Sequence, residues 1–199
     1  MIRLGDIAVV TAGYPFRGAI GEHADGDALA VQMRDLRGDA GRVDWSGVAR
    51  TRLTGKRKPD WLRFGDILLS SIGDNNAAIL VGDVPAPAVC TPNIFLIRAH
   101  DETAVLPGYL AWALNQQMVR EHWRSSALGT NVQRLRRADV ENASLPLPPV
   151  EQQARIAALA QTAREERAAL EALIPNRERE LAGLAQNLFN WKSIHKVVS

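Results

Sequence analysis

Short apolar runs separated by turns fill the chain up to about residue 105, and the spacing then becomes helical. Ile7 to Thr11, Ala28 to Met33, Asp66 to Ile72, Ala77 to Gly82 and Asn93 to Ala99 are compact β-branched or apolar runs. Gly65-Asp66, Gly73-Asp74-Asn75, Gly82-Asp83 and Thr91-Pro92-Asn93 punctuate them as turns. The pattern predicts a twisted, mostly antiparallel sheet with loops on one side. From Pro107, a residue suited to the first helical turn, Tyr109, Trp112, Val119 and Trp123 recur at helical spacing with Leu110, Leu114 and Met118. That predicts one amphipathic helix to Trp123 packed on the sheet, with its aromatic residues in the core.

Beyond it, Gly129-Thr130-Asn131 reads as an exposed turn and Arg136 to Glu141 as a short helix. Ser144 to Pro149 reads as an extended segment, because each residue before a proline is driven to extended geometry. A helix then runs from Glu151 to about Trp191. At 1.5 Å per residue it would reach roughly 60 Å. One heptad frame joins Ile156, Ala160, Ala163, Arg167, Leu170, Ile174, Arg177, Leu181, Leu184 and Leu188 at spacings of three and four. Two arginines interrupt that seam. Pro175 lacks a backbone donor and clashes with the preceding turn, so a kink or a break into two helices is expected near Ile174. A seam of this length needs a second helix, from the chain's own second half or from another chain. The division expected is a globular domain over 1–149, a spacer and dimerisation helix over 150–191, and a tail over 192–199.

Composition narrows the class. The 199 residues are 46% hydrophobic, enough for a core, and the formal net charge is +2. A single cysteine, Cys90, excludes an internal disulfide and a cysteine zinc site within one chain, and a reducing cytoplasmic compartment is expected. No run approaches the ~20 apolar residues of a membrane span, and the N-terminal apolar run is too short for a signal peptide. The charge is clustered: Arg50, Arg52, Lys56, Arg57 and Lys58 fall within nine residues, offset by Asp60, and Arg134, Arg136 and Arg137 follow the Gly129-Thr130-Asn131 turn. Basic runs beside turns suit phosphate contacts, although solvated loops carry such runs as well.

Catalytic constellations are missing from the sequence. There is no phosphate-binding Gly-x-x-x-x-Gly-Lys loop and no Asn-Pro-Pro-aromatic motif of an amino-methyltransferase. His23, His100, His122 and His195 have no metal-ligand spacing, and Ser70-Ser71 lacks a nucleophile elbow. Pro59-Asp60 has no Glu-x-Lys after it and reads as a surface turn. Neither enzyme activity nor a cofactor or metal is expected.

The run from Ser125 to Leu173 resembles the hallmark segment of the specificity (S) subunits of type I restriction–modification systems. The matching residues are Gly129-Thr130, Leu135, Pro146-Leu147-Pro148-Pro149 and Glu151 with Gln152-Gln153. Leu4 to Gly18 and Phe64 to Gly73 are similar to the first strand-loop and the central strand-turn of that family's target recognition domain. The resemblance implies a mixed α/β, α+β-like recognition domain followed by a long coiled-coil helix that serves as spacer and dimeriser, with the proline-rich exit fixing the start of the helix. Family members usually carry two recognition domains and two helices; this sequence has one of each, like a half-subunit.

The activity implied is sequence-specific binding of double-stranded DNA, which directs a partner adenine methyltransferase, and a restriction subunit where one exists, to a bipartite target. A homodimer through Ile156, Ala160, Ala163, Leu170, Ile174, Leu181, Leu184 and Leu188 would carry two readers; a heterodimer with another half-subunit is the other arrangement. No membrane partner is expected. A stand-alone DNA-binding regulator or defence protein acting by occupancy is the alternative function, and a protein-interaction adaptor with merely solvated basic loops is a third. Phosphates are expected at Arg50, Arg52, Lys56, Arg57, Lys58 and Arg134, beside the turn holding Thr130. Base edges are expected at Arg17, Arg34, Asn131 and Gln133, side chains that bond in pairs, with Arg34 equally suited to a sheet-edge salt bridge.

Overall fold

The computed structural model describes residues 1–37, 41–73, 76–126 and 134–195. Its centre is an antiparallel sheet of four strands: β2 (Ala8–Ala12), β10 (Ile94–Ala99), β7 (Ile67–Ser70) and β8 (Ala78–Leu80), in that order. A second, mixed sheet orders β6 (Ala49–Thr51), β3 (Ala28–Val31) and β9 (Ala88–Cys90), with β3 and β9 parallel. Two small pairs complete the strands: β4 (Leu36–Arg37) with β5 (Arg42–Val43), and β1 (Ile2–Arg3) with β11 (Ser144–Leu145). The helices are α1 (Leu4–Ile7), α2 (Pro107–Leu114), α3 (Gln117–Ser126), α4 (Arg137–Glu141) and α5 (Val150–His195).

Alternation along the two middle strands explains the layers. Ile67 and Leu69 of β7, with Phe95, Ile97 and Ala99 of β10, belong to one apolar cluster with Tyr109, Leu110, Leu114 and Trp123 from the helices. Leu68, Ile94 and Leu96 belong to another, with Leu29, Val31, Ala88 and Cys90 of the mixed sheet. The register Phe95↔Leu69 and Ile97↔Ile67 puts like-facing residues opposite each other. Strands covered on both faces favour apolar residues at successive positions, which is why residues 67–69 and 94–97 read as continuous apolar runs instead of alternating ones. The mixed α/β class is therefore the one expected, but the strands form several sheets, since a single sheet cannot bury both faces of its own middle.

Three polar side chains fix the edges of this core. Asp66, fully buried, takes a two-pronged bond from Arg98: Nε to Oδ1 at 2.6 Å and Nη2 to Oδ2 at 2.7 Å. That bond holds the guanidinium pKa above its ordinary value. Asn115 ends α2. Its Nδ2 donates to the carbonyls of Ala78 and Ala111 (2.7 and 2.8 Å), and its Oδ1 accepts from the Ala78 N–H (3.1 Å). One amide thus supplies the edge strand β8 with the neighbour it lacks. The single helix expected over 107–123 is accordingly two, split at Asn115 and Gln116. Trp123 is fully buried as expected, while Trp112 is only partly buried against the same cluster.

Gln153 is the third. It is buried near the start of α5, donating through Nε2 to the carbonyls of Ala104 (3.0 Å) and Pro148 (2.9 Å) and accepting from the Leu106 N–H (3.0 Å). Tyr109 adds a bond from its hydroxyl to the Pro146 carbonyl at 2.6 Å. Gly108 makes room for α5: a Cβ there would lie 3.2 Å from that of Ala157. The proline-rich segment and the first turns of the helix are thereby locked to the body.

The chain divides into two compact units, Met1–Ala160 and a second beginning at Gln161. Helical structure continues without interruption from Val150 to His195, so the break expected near Ile174 is absent. Pro175 removes one intrahelical bond, yet the turns on either side keep theirs in a sequence of strong helix formers, and Arg179 Nε donates to the Pro175 carbonyl at 3.2 Å. Among the described residues, no helix is long and apolar enough to cross a membrane.

Replacing Gln153 with Leu should destabilise the protein by about 1–3 kcal/mol, because three partly buried backbone groups lose the amide that pairs with them. The adjacent Gln152, exposed in the same motif, should tolerate Ala within about 0.5 kcal/mol. Denaturant unfolding of both variants checks the contrast; equal effects would deny Gln153 this role.

Candidate nucleic-acid interface

Several loops meet where β2 ends and β10 begins. The Gly13 N–H donates to the Ile94 carbonyl (3.0 Å) and that of Tyr14 to the Cys90 carbonyl (2.7 Å). A Cβ on Gly13 would lie 2.2 Å from the Thr91 carbonyl oxygen, so only glycine lets the chain pass this close to the Thr91–Asn93 turn. On the other side of β10, Ser71 donates both its N–H and its hydroxyl to the Asn93 carbonyl, each at 2.9 Å. The Leu135 N–H donates in turn to the Ser71 carbonyl (2.9 Å), and Arg134 bridges to Ile72. Arg134 and the loop that carries Arg17 therefore leave the same end of the central sheet.

Tyr14 links that loop to the basic run. Its hydroxyl donates to the Gly55 carbonyl at 2.8 Å, its ring packs edge-on against Phe16, and the Arg17 N–H donates to Thr54 Oγ1 at 2.9 Å. A Cβ on Gly55 would come within 2.6 Å of the Pro15 carbonyl oxygen. Arg17 thereby lies beside Thr54, 37 positions away in sequence and at the start of the basic stretch 54–58. The single Gly-Tyr-Pro-Phe turn carries this signal, which no spacing rule reads.

The cations of the run differ in how far they are committed. Arg50 Nη1 donates to the Gly26 carbonyl (3.1 Å), Arg52 pairs with Asp25, and Arg57 pairs with Asp60 at 2.6 Å. Lys56 and Lys58 are exposed and form no ion pair with a described residue. Arg34 stands on the turn after β3, exposed and 3.8 Å from the buried carboxylate of Asp35, so the salt-bridge reading of this residue has a partner at hand. No hydrogen bond or ion pair among the described residues joins Arg34 to the other basic positions. Arg136, in the second basic cluster, is tied to Asp139 through Nε (2.9 Å) and Nη2 (2.8 Å). The same bonds raise the Arg136 pKa and lower that of Asp139. Thr130, Asn131 and Gln133 lie outside the described residues.

Electrostatics elsewhere give little reactive chemistry. Burial pushes the Cys90 thiol up to about 12, far from a nucleophile at neutral pH. Burial, with Arg124 nearby, lowers the Arg120 pKa. Among the described residues no group of His, Cys, Asp and Glu could hold a metal ion.

No family model matches the chain, and no curated protein matches it. Solved structures do. A chain from a structure concerned with complex assembly and conformational transition of the type I R-M system matches with a TM-score of 0.68 at 20% identity, over 92% of this chain and 42% of its own. The HsdS subunit from Thermoanaerobacter tengcongensis matches with a TM-score of 0.59 at 18% identity, over 85% of this chain and 38% of its own. The type I restriction–modification S subunit from M. genitalium matches at 0.55 and 14% identity, over 82% and 38%. The chain spans about two-fifths of the length of these structures. Its fold is the one found in type I specificity subunits: a mixed α/β domain with antiparallel sheets and a long C-terminal helix.

The Arg136–Asp139 pair has a pH signature. The folded-state pKa of Asp139 is depressed, so its stabilisation is fully present above the unfolded value of about 4 and is lost as pH falls through the lower folded value. Asp139→Asn should be less stable than the parent at pH 7, with the gap closing below about pH 4. Chemical denaturation across pH 2–7 checks this, and a pH-independent gap would assign the loss to packing.

Proposed function

We propose that the chain is a DNA-reading specificity subunit that directs an adenine methyltransferase, and a restriction subunit where present, to a bipartite target. The observation that carries the reading is a fold shared with type I S subunits over nearly the whole chain, with the long helix included. The tethered loops around Arg17, Lys56, Lys58 and Arg134 add support. They offer cations for phosphates from backbone fixed by hydrogen bonds, and uncommitted lysines release counterions where already paired arginines release fewer.

The helix supplies the second half of the proposal. Leu170, Ile174, Leu181, Leu184 and Leu188 are each at least 60% exposed, as are Leu159 and Phe189. Leaving such side chains in water forgoes about 1.5–3 kcal/mol apiece. The seam arginines are satisfied on their own helix, Arg167 by Glu171 (3.3 Å) and Arg177 by Glu180 (2.7 Å), so they can border a partner without a new counter-ion. Ile156 packs against the chain's own core, which leaves the stretch from Ala160 to Leu188 for pairing. A homodimer through this face would present two identical readers.

Two measurements test this. Lys56→Gln and Lys58→Gln should each weaken binding to all duplexes alike and reduce the slope of log affinity against log salt by about 1; an unchanged slope removes these lysines from the interface. Methylome sequencing of cells expressing the chain with its methyltransferase should return two inverted copies of one short half-site, since a two-fold dimer repeats its reader, with a spacer of fixed length and free sequence. A continuous or asymmetric motif would overturn the homodimer, and the absence of any methylated motif would favour a protein acting by occupancy.

A further inference from the structure

We infer that Asn93 reads a base edge, specifically an adenine in the major groove, an inference that rests on the DNA-reading function proposed above. In sequence it is only the last residue of a Thr-Pro-Asn turn. In the structure it occupies the junction where the loops of the interface meet. Its carbonyl accepts two bonds from Ser71, one residue before Ile72, which bridges to Arg134. The Ile94 carbonyl beside it accepts from Gly13, at the root of the Arg17 loop. The Ile94 N–H closes the turn onto the Thr91 carbonyl at 3.0 Å. Asn93 is held through its own carbonyl and the backbone of Ile94. Its side chain is exposed and has no hydrogen-bond partner among the described residues.

An asparagine that served only the turn would spend its amide on nearby backbone, as Asp44 and Asp101 spend their carboxylates on Ser46 and Thr103. Here that work is done without it. What remains is one acceptor and one donor group, side by side and projecting from a rigid strand end between cations suited to flanking phosphates. That pair matches the N6 donor and N7 acceptor of adenine, the contact for which Asn is fitted. Fixed backbone under a free amide is also the arrangement that reads a base without ordering a loop first.

The test is selection of binding sites from a library of random double-stranded DNA by the full chain, in parallel with Asn93→Ala and Asn93→Asp. The parent should enrich a motif with a required adenine in its half-site. Both variants should keep the rest of the motif and accept other bases at that one position, losing discrimination there by roughly 5- to 150-fold. Affinity of Asn93→Ala for a fixed non-enriched duplex should stay within twofold, and thermal unfolding of both variants should match the parent, as the side chain holds nothing in the fold. Retention of the adenine by both variants would overturn the assignment while leaving DNA reading intact. Uniformly weaker binding of Asn93→Ala to every duplex would also overturn it, marking a phosphate contact. Failure of the parent to enrich any motif would sink the DNA-reading function itself, and this inference with it.

Discussion

Burial of the β7–β10 pair on both faces is the constraint on which the rest of the domain depends. Leu68, Ile94 and Leu96 need cover on one side, and Ile67, Leu69, Phe95 and Ile97 need it on the other. A four-stranded sheet cannot provide either, so the chain must bring a second sheet to one face and helices to the other. Both layers then consume the faces of the sheet and leave only its ends open. Loops that leave those ends are the parts of the domain free to differ without disturbing the core. The tethered loops of the candidate interface sit at one such end.

Polar side chains close what apolar packing leaves unfinished, and each does so from inside. Asp66 with Arg98, Asn115 and Gln153 are satisfied by several bonds apiece. Removing any one of them would leave its partly buried partners without these bonds. Gln153 has the widest consequence: the residues it joins belong to the loop before α2, to the proline-rich segment and to α5. Prolines restrict that segment to extended geometry, but only the amide and the Tyr109 hydroxyl fix where it lies. A stiff exit and a locked first turn together fix where α5 begins on the domain.

The candidate interface has a division of labour between backbone and charge. Backbone bonds from Gly13, Tyr14, Ser71 and Leu135 tie neighbouring loops together at the sheet end, whereas the cations of the basic run range from paired arginines to lysines with no ion pair among the described residues. A cation already held by a carboxylate must give up that partner before it meets a phosphate, which reduces what it contributes. Counting basic residues in the sequence therefore overstates some positions. The neighbouring aspartates, scattered from Asp25 to Asp60, are the reason.

Much of the fold was legible in the sequence. The five apolar runs became β2, β3, β7, β8 and β10, because a strand of β-branched and aliphatic residues between turn signals has few other stable states. The helix after the prolines was equally plain, since its composition favours helix wherever it stands. The short strands β6 and β9 were not legible: Ala49–Thr51 and Ala88–Cys90 are too brief for periodicity and exist only because β3 pairs with both. The continuity of α5 through Pro175 and the interruption at Asn115 reversed the local expectation at both places. In the first, intact flanking turns outweighed one lost bond; in the second, a strand edge with open hydrogen-bonding groups outbid the helical pattern. The same holds for the interface. Sequence marked Arg17, the basic run and Arg134 at separate places; Tyr14 ties the Arg17 loop to the run, and Gly13 and Ser71 tie to β10 the strand ends from which Arg17 and Arg134 leave. Local chemistry determines which residues carry charge or form an element. Contacts between distant segments decide which of them share a surface, because chain distance bears no relation to proximity once a sheet has brought its strands into register.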